Sequence, residues 1–153
     1  MSVNDGITTS QKSQIINITR VFNSNVGRDP LTGTDGNDKI TGASGAKTLT
    51  GGLGNDEFIY TNIREVGHRI TDFTPGSDKI VLTQLLDSLV SGGYSVSNAI
   101  ADGYVKLVQG STSSTTILQI DRDGLSGSAI FRPFIQLDNI TPAVMGNLNN
   151  FIF

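Results

Sequence analysis

The feature that most constrains this chain is a nine-residue period. Three consecutive blocks begin at Gly33, Gly42 and Gly51 and read GTDGNDKIT, GASGAKTLT and GGLGNDEFI. Glycine returns at the fourth position as Gly36, Gly45 and Gly54. Position six holds Asp38, Lys47 and Asp56, and position eight holds the apolar Ile40, Leu49 and Phe58. The preceding block, SNVGRDPLT over 24–32, keeps the register with Gly27, Asp29 and Leu31, and is a worn fourth copy. A short fixed period marks a solenoid, in which each unit buries its apolar residue only against stacked neighbours.

The residue types explain the period. The first six positions are turn chemistry, because glycine reaches positive φ and Asn or Asp tolerates left-handed geometry. The last three form a short strand whose middle residue points inward. Two blocks make one circuit, so blocks eighteen residues apart stack on the same side. Asp38 and Asp56 then share one side, and Asp29 and Lys47 the other. Composition agrees: 18 glycines in 153 residues and only 16 % charged residues argue against a helical bundle, a coiled coil or a charged disordered tail. With no cysteine and one histidine, a disulfide scaffold, a thiolate zinc site, a cysteine nucleophile and a histidine-rich metal site are excluded. A net charge of −3 disfavours nucleic acid and mildly favours a cation as partner. No apolar run reaches the roughly 18 residues of a membrane span. Residues 1–13 lack the apolar centre of an N-terminal signal peptide.

GGLGNDEFI matches the pattern GGxGxDxUx in full, and GTDGNDKIT departs from it only at Thr34. The blocks therefore resemble the calcium-binding repeats of the RTX (repeats-in-toxin) proteins. The resemblance implies a parallel β-roll with Ca²⁺ between stacked turns. Ca²⁺ is a hard cation that takes six to eight oxygens. The implied ligands are the carboxylates of Asp38 and Asp56 with the carbonyls of Thr34, Gly36, Gly51 and Leu53. The opposite side is expected to carry no ion, because the Lys47 ammonium only donates. That ammonium either replaces the cation and pairs with Asp29, or points to solvent. Glu65 falls at position six of the next nine residues and could contribute there.

Residues 60–69 leave the register, and ITDFTPGSDKIVL over 70–82 then reads as strand, Pro-Gly turn, strand. This segment is similar to the one that follows the last repeats in many RTX proteins. Asp72 and Asp78 resemble a further calcium pair, against the plainer reading of a capping Asp78 and a solvated Asp72. The spacing predicts a short helix over 83–89 and strands over 104–109, 115–121 and 129–137, with Pro133 marking an edge or a bulge. Thr141 and Pro142 suit the start of a brief helix. Asp121 and Asp123 sit either in a plain hairpin turn or at the start of a calcium loop that lacks its later ligands. Residues 14–23 alternate partly and suit a strand capping the open end of the roll.

The expected fold is all-β: a short parallel β-roll of nonapeptide repeats, then an antiparallel β-sandwich-like region with one or two short helices. Residues 1–23 would be a linker or roll cap, 24–59 the roll, and 60–153 the C-terminal region. The hairpins and the apolar end, Phe151-Ile152-Phe153, are similar to the C-terminal target domain of large RTX adhesins. That resemblance implies a type I secretion signal, export without an N-terminal signal peptide, and a larger secreted or cell-surface parent. Its partners would be the type I secretion machinery and the parent's other domains, without nucleic acid or membrane insertion. The alternative is a calcium-dependent polysaccharide-binding module, using Lys39, Arg64, His68, Arg69 and Lys79. Catalysis is not expected: the chain has neither an H-E-x-x-H motif nor a G-x-S-x-G elbow.

Overall fold

The nonapeptide period becomes a roll of two facing sheets. The computed structural model describes residues 20–23 and 28–153. The first sheet runs β1 (Arg20–Asn23), β3 (Asp38–Thr41), β5 (Glu57–Ile59), β7 (Lys79–Val81) and β11 (Phe151–Ile152). The second runs β2 (Leu31–Thr32), β4 (Thr48–Thr50), β6 (His68–Ile70), β10 (Arg132–Leu137), β9 (Thr116–Ile120) and β8 (Val105–Gln109). Every pair in the first sheet is parallel. The second is parallel from β2 to β10 and antiparallel from β10 through β9 to β8.

Position eight of each repeat builds the core. Ile40, Phe58, Ile80 and Phe151 stand in register along the first sheet. Leu31, Leu49, Ile70 and Leu137 do so along the second. Apart from the partly covered Leu31 all are buried, and the two ladders belong to one apolar core. The stacking outlives the sequence period. Partners are eighteen residues apart between Lys39 and Glu57, twenty-two between Glu57 and Lys79, and twenty-one between Thr48 and Arg69. Longer turns are absorbed at the outer corners while the strands keep their register. The boundary expected after residue 59 therefore ends the repeat but not the core. The antiparallel strands extend the second sheet in its own plane.

The helix expected over 83–89 is α1 (Thr83–Leu89), which buries Leu85 and Leu86. The second, α2 (Pro142–Met145), starts as expected, with the Thr141 hydroxyl accepting from the Val144 N–H at 3.4 Å. Pro133 lies at a register shift in a strand paired on both sides, so it marks a bulge and not an edge. The bulge removes the need for the missing N–H. The segment before β11 is held by Asn150, which is buried. Its Oδ1 accepts from the Gly76 N–H at 2.9 Å, and its Nδ2 donates to the Val144 and Met145 carbonyls. The strand expected over 14–23 is seen as β1 on the edge at β3; the remainder of that expectation, and the start of the worn repeat, lie outside the described residues. Among the described residues no helix is long and apolar enough to cross a membrane.

Phe58 occupies the middle of its ladder with no exposed surface. Replacing it by alanine removes a large side chain and leaves a cavity, so Phe58→Ala is expected to cost about 3–5 kcal/mol, read by denaturant unfolding at constant metal concentration.

Candidate metal centre

Asp38 opens β3, and Asp56 and Asp78 directly precede β5 and β7, so register stacks the three in one column. All are buried. Asp56 Oδ1 accepts from the Asp38 N–H at 2.9 Å, and Asp78 Oδ1 accepts from the Asp56 N–H at 3.0 Å. The Asp56 and Asp78 carboxylates thus each tie their own turn to the preceding one. Asp38 also closes its own turn, accepting from the Thr34 N–H at 2.5 Å and from the Thr34 hydroxyl. Asp78 does the same with the Thr74 N–H at 2.7 Å. One further bond runs alongside, where Asn37 Oδ1 accepts from the Asn55 N–H at 2.8 Å.

Asp56 is the exception. Its Oδ2 is buried and has no hydrogen-bond partner. The N–H that would close its turn, that of Gly52, donates instead to Asp72 Oδ2 at 2.8 Å. A buried carboxylate oxygen without a partner is costly. Burial pushes the Asp56 carboxyl up to about 6, reinforced by the charges of Asp78, Asp38 and Asp72 and opposed by the Asp38 N–H. Asp78 is also raised, chiefly by burial.

This oxygen lies against Gly51, and the turns stacked here pack backbone on backbone. The Gly36 carbonyl lies 2.7 Å from where a Cβ on Gly54 would stand, and the Thr34 carbonyl crowds the same place on Gly52. Both glycines have positive φ, +110° and +101°. The Gly51 carbonyl lies equally close over Gly33. Three of the four carbonyls implied from the repeat therefore face the gap between turns, where side chains would close it. The Thr34 carbonyl also accepts from the Leu53 N–H at 3.2 Å. Leu53 itself stands at the turn tip with 67 % of its surface exposed. Among the described residues no three His, Cys, Asp or Glu side chains converge on one point. The arrangement suits a cation that takes its charge balance from paired carboxylates and the rest of its shell from carbonyls.

Several sequence expectations change. Asp78 belongs to the aspartate column, and Asp72 bonds the Gly51 and Gly52 N–H groups of the stacked turn, with its charge reaching Asp78. Asp72 is half-buried and bonded, not solvated. Lys47 and Asp29 form no ion pair. Asp29 is exposed, whereas Lys47 is buried and its Nζ donates to the Ser44 carbonyl at 3.0 Å. Glu65 does not continue that column, because the longer turn shifts the register and brings His68 there. Glu65 closes its own turn instead, accepting from the Thr61 N–H and hydroxyl at 2.8 Å.

At the other candidate site, Asp121 accepts from the Ile130 N–H at 2.9 Å within a turn that passes into Gly124–Ser126. A hydrogen bond between the two carboxyls holds Asp121 below and Asp123 above the usual range. The five basic residues do not line a groove. Lys39 pairs with Glu57 at 2.7 Å, Arg69 pairs with Asp138 at 2.6 Å, Lys79 donates to the Gly76 and Asn149 carbonyls, and His68 is buried. Only the Arg64 side chain has no such engagement among the described residues. Instead, Arg122 and Arg132 flank a cleft of about 480 Å³ floored by Ile63, Val66, Ile120, Pro133 and Phe134. No local motif announces it, because its walls come from chain segments some seventy residues apart.

Residues 24–58 match the RTX calcium-binding nonapeptide repeat in four copies. These residues are RTX repeats, and such repeats bind calcium. Among solved structures, the fold is similar to the AlgE6R3 and AlgE6R2 subunits of the mannuronan C5-epimerase from Azotobacter vinelandii. The first has a TM-score of 0.57 at 23 % identity, covering 88 % of this chain and 78 % of that one. The second has the same score and identity, covering 83 % and 77 %. At that identity the likeness establishes the β-roll fold. No curated protein matches the sequence.

Because the folded Asp56 carboxyl titrates near 6, above its ordinary 3.8, its contribution to stability is full below 3.8 and lost as pH rises through 6. In metal-stripped protein, Asp56→Asn is therefore expected to gain stability over wild type at pH 7 and not at pH 4, measured by urea denaturation.

Proposed function

We propose that the chain is a non-catalytic calcium-binding module of a larger type I secreted protein, unfolded for export at low calcium and folded by calcium outside the cell. The observation that carries this reading is the aspartate column with the buried, unpaired Asp56 Oδ2 against Gly51, in turns whose backbones stack closely. Without a cation, Asp38, Asp56 and Asp78 repel along one buried edge. With Ca²⁺, a pair of carboxylates neutralises it. Asp38 and Asp56 would supply the charge, and Thr34, Gly36, Gly51 and Leu53 the carbonyls; Asp72 and Asp78 would serve the turns on either side.

Extracellular calcium sites typically have Kd of about 10⁻⁴–10⁻³ M. An ion at about 100 times Kd stabilises the fold by roughly 2.7 kcal/mol per site. That is a large share of the 5–15 kcal/mol that holds a domain folded. Metal binding and folding are then one equilibrium.

The test is thermal unfolding by far-UV circular dichroism in EDTA, in 10 mM CaCl₂ and in 10 mM MgCl₂. A calcium-specific rise in Tm or gain of β signal is expected; equal curves in all three would overturn the reading. In calorimetric titration, Asp56→Ala is expected to weaken calcium binding at least tenfold, while Lys47→Ala leaves affinity within about twofold.

A second reading, binding of an acidic polysaccharide, is favoured by the Arg122–Arg132 cleft, since neither guanidinium has an ion-pair partner among the described residues. A uronate oligomer that binds wild type and not Arg122→Ala/Arg132→Ala would support it. Equal binding by both proteins would place the sugar elsewhere.

A further inference from the structure

The column opposite the aspartates holds groups that calcium binding leaves unused. Thr48 pairs with Arg69, so Lys47 and His68 stand one above the other at the place of position six. Lys47 retains 2 % and His68 1 % of its surface. The Lys47 ammonium donates to the Ser44 carbonyl at 3.0 Å. His68 Nε2 lies 2.9 Å from the Gly45 carbonyl. A carbonyl only accepts, so Nε2 carries the proton. His68 Nδ1 is buried without a partner. The ring lies across Gly42, where a Cβ would stand 2.8 Å from Nδ1 and 2.9 Å from Nε2. The backbone of Ala43 faces the same ring. The turn over 42–45 is the counterpart of the turn over 33–36, whose carbonyls face the aspartate side. Here the Gly45 carbonyl, the counterpart of Gly36, and the adjacent Ser44 carbonyl take the chain's own donors.

We propose that this second column is a cation site filled by the protein itself: Lys47 supplies the charge and neutral His68 the second donor, which closes the turn to calcium and makes this side answer to protons instead.

Burial holds the His68 ring below its ordinary 6.5; the Lys47 charge acts the same way, and the Gly45 carbonyl, Glu65 and the Ala43 backbone oppose both. Tyr60, whose ring centroid is 5.6 Å from that of His68, is kept neutral by burial. Asp29 is exposed, and Arg69 and Asp138 are paired with each other. A protonated His68 would set a second buried cation on Lys47. The folded chain thus holds fewer protons here than the unfolded chain. The contribution of His68 to stability is full above 6.5 and lost as pH falls below it.

The chain has one histidine, so imidazole ¹H–¹⁵N NMR reads His68 alone. In the folded full chain, the expected result is an Nε2–H tautomer that titrates below 6.5. Raising calcium from about 1 to 50 mM should leave that signal in place. His68→Gln keeps a donor for Gly45 and removes the titration. Its denaturation midpoint should fall less than that of wild type between pH 7.5 and 5.5, at saturating calcium. An Nδ1–H tautomer, a titration at or above 6.5, loss of the Nε2–H signal with added calcium, or equal acid losses in both proteins would overturn the proposal. The reading of the aspartate column is judged separately, by Asp56→Ala, so the two can fail independently.

Discussion

The roll depends on hydrogen bonds from one turn's backbone to the next turn's carboxylate. Asp56 receives the N–H of Asp38, and Asp78 receives that of Asp56. These bonds join residues eighteen and twenty-two apart, so they fix how the turns stack. They also bury negative charges along a single edge. Most of those charges are met by N–H groups, but Asp56 Oδ2 is met by nothing. The bonds that align the turns therefore create the demand for a cation. This links a property of the fold to a property of its ligand without any further side chain.

The two sides of the roll answer the same backbone problem differently. Each stacked turn directs carbonyls into the space beside its neighbour, and such oxygens need a donor or a cation. On the first side the neighbouring groups are aspartates, which add negative charge. On the second they are Lys47 and His68, which donate to Ser44 and Gly45. One edge is thereby left open to solution chemistry while the other is completed by hydrogen bonds from the chain's own side chains. A roll built this way keeps part of its stacking independent of metal.

The repeat made much of this legible in advance. The parallel roll, the stacking of Asp38 on Asp56 and the inward apolar position follow from a period of nine, because two turns and two strands complete one circuit. The helix over 83–89 and the Thr141 cap were legible from spacing and capping chemistry alone. The strands β6, β7, β10 and β11 were not visible as rungs of the same roll. Their turns differ in length, and their only common mark is one apolar residue each, Ile70, Ile80, Leu137 and Phe151. Counting by nines past Phe58 placed Glu65 where His68 stands, since loop length can change without disturbing strand register. The Arg122–Arg132 cleft was hidden for a different reason: it lies between segments far apart in the chain.

By itself, then, the sequence determined the repeat geometry and which edge carries the carboxylates, because both are local to a block and copied from one block to the next, and the resemblance of those blocks to a known repeat implied calcium. The tertiary structure alone decided which side chain fills the opposite column, which carboxylate oxygen is left without a partner, and where the last strand docks. Those outcomes turn on register between strands separated by loops of unequal length. Register is set by packing across the core, with Leu49 on Ile70 and Phe58 on Ile80, and not by any count along the chain.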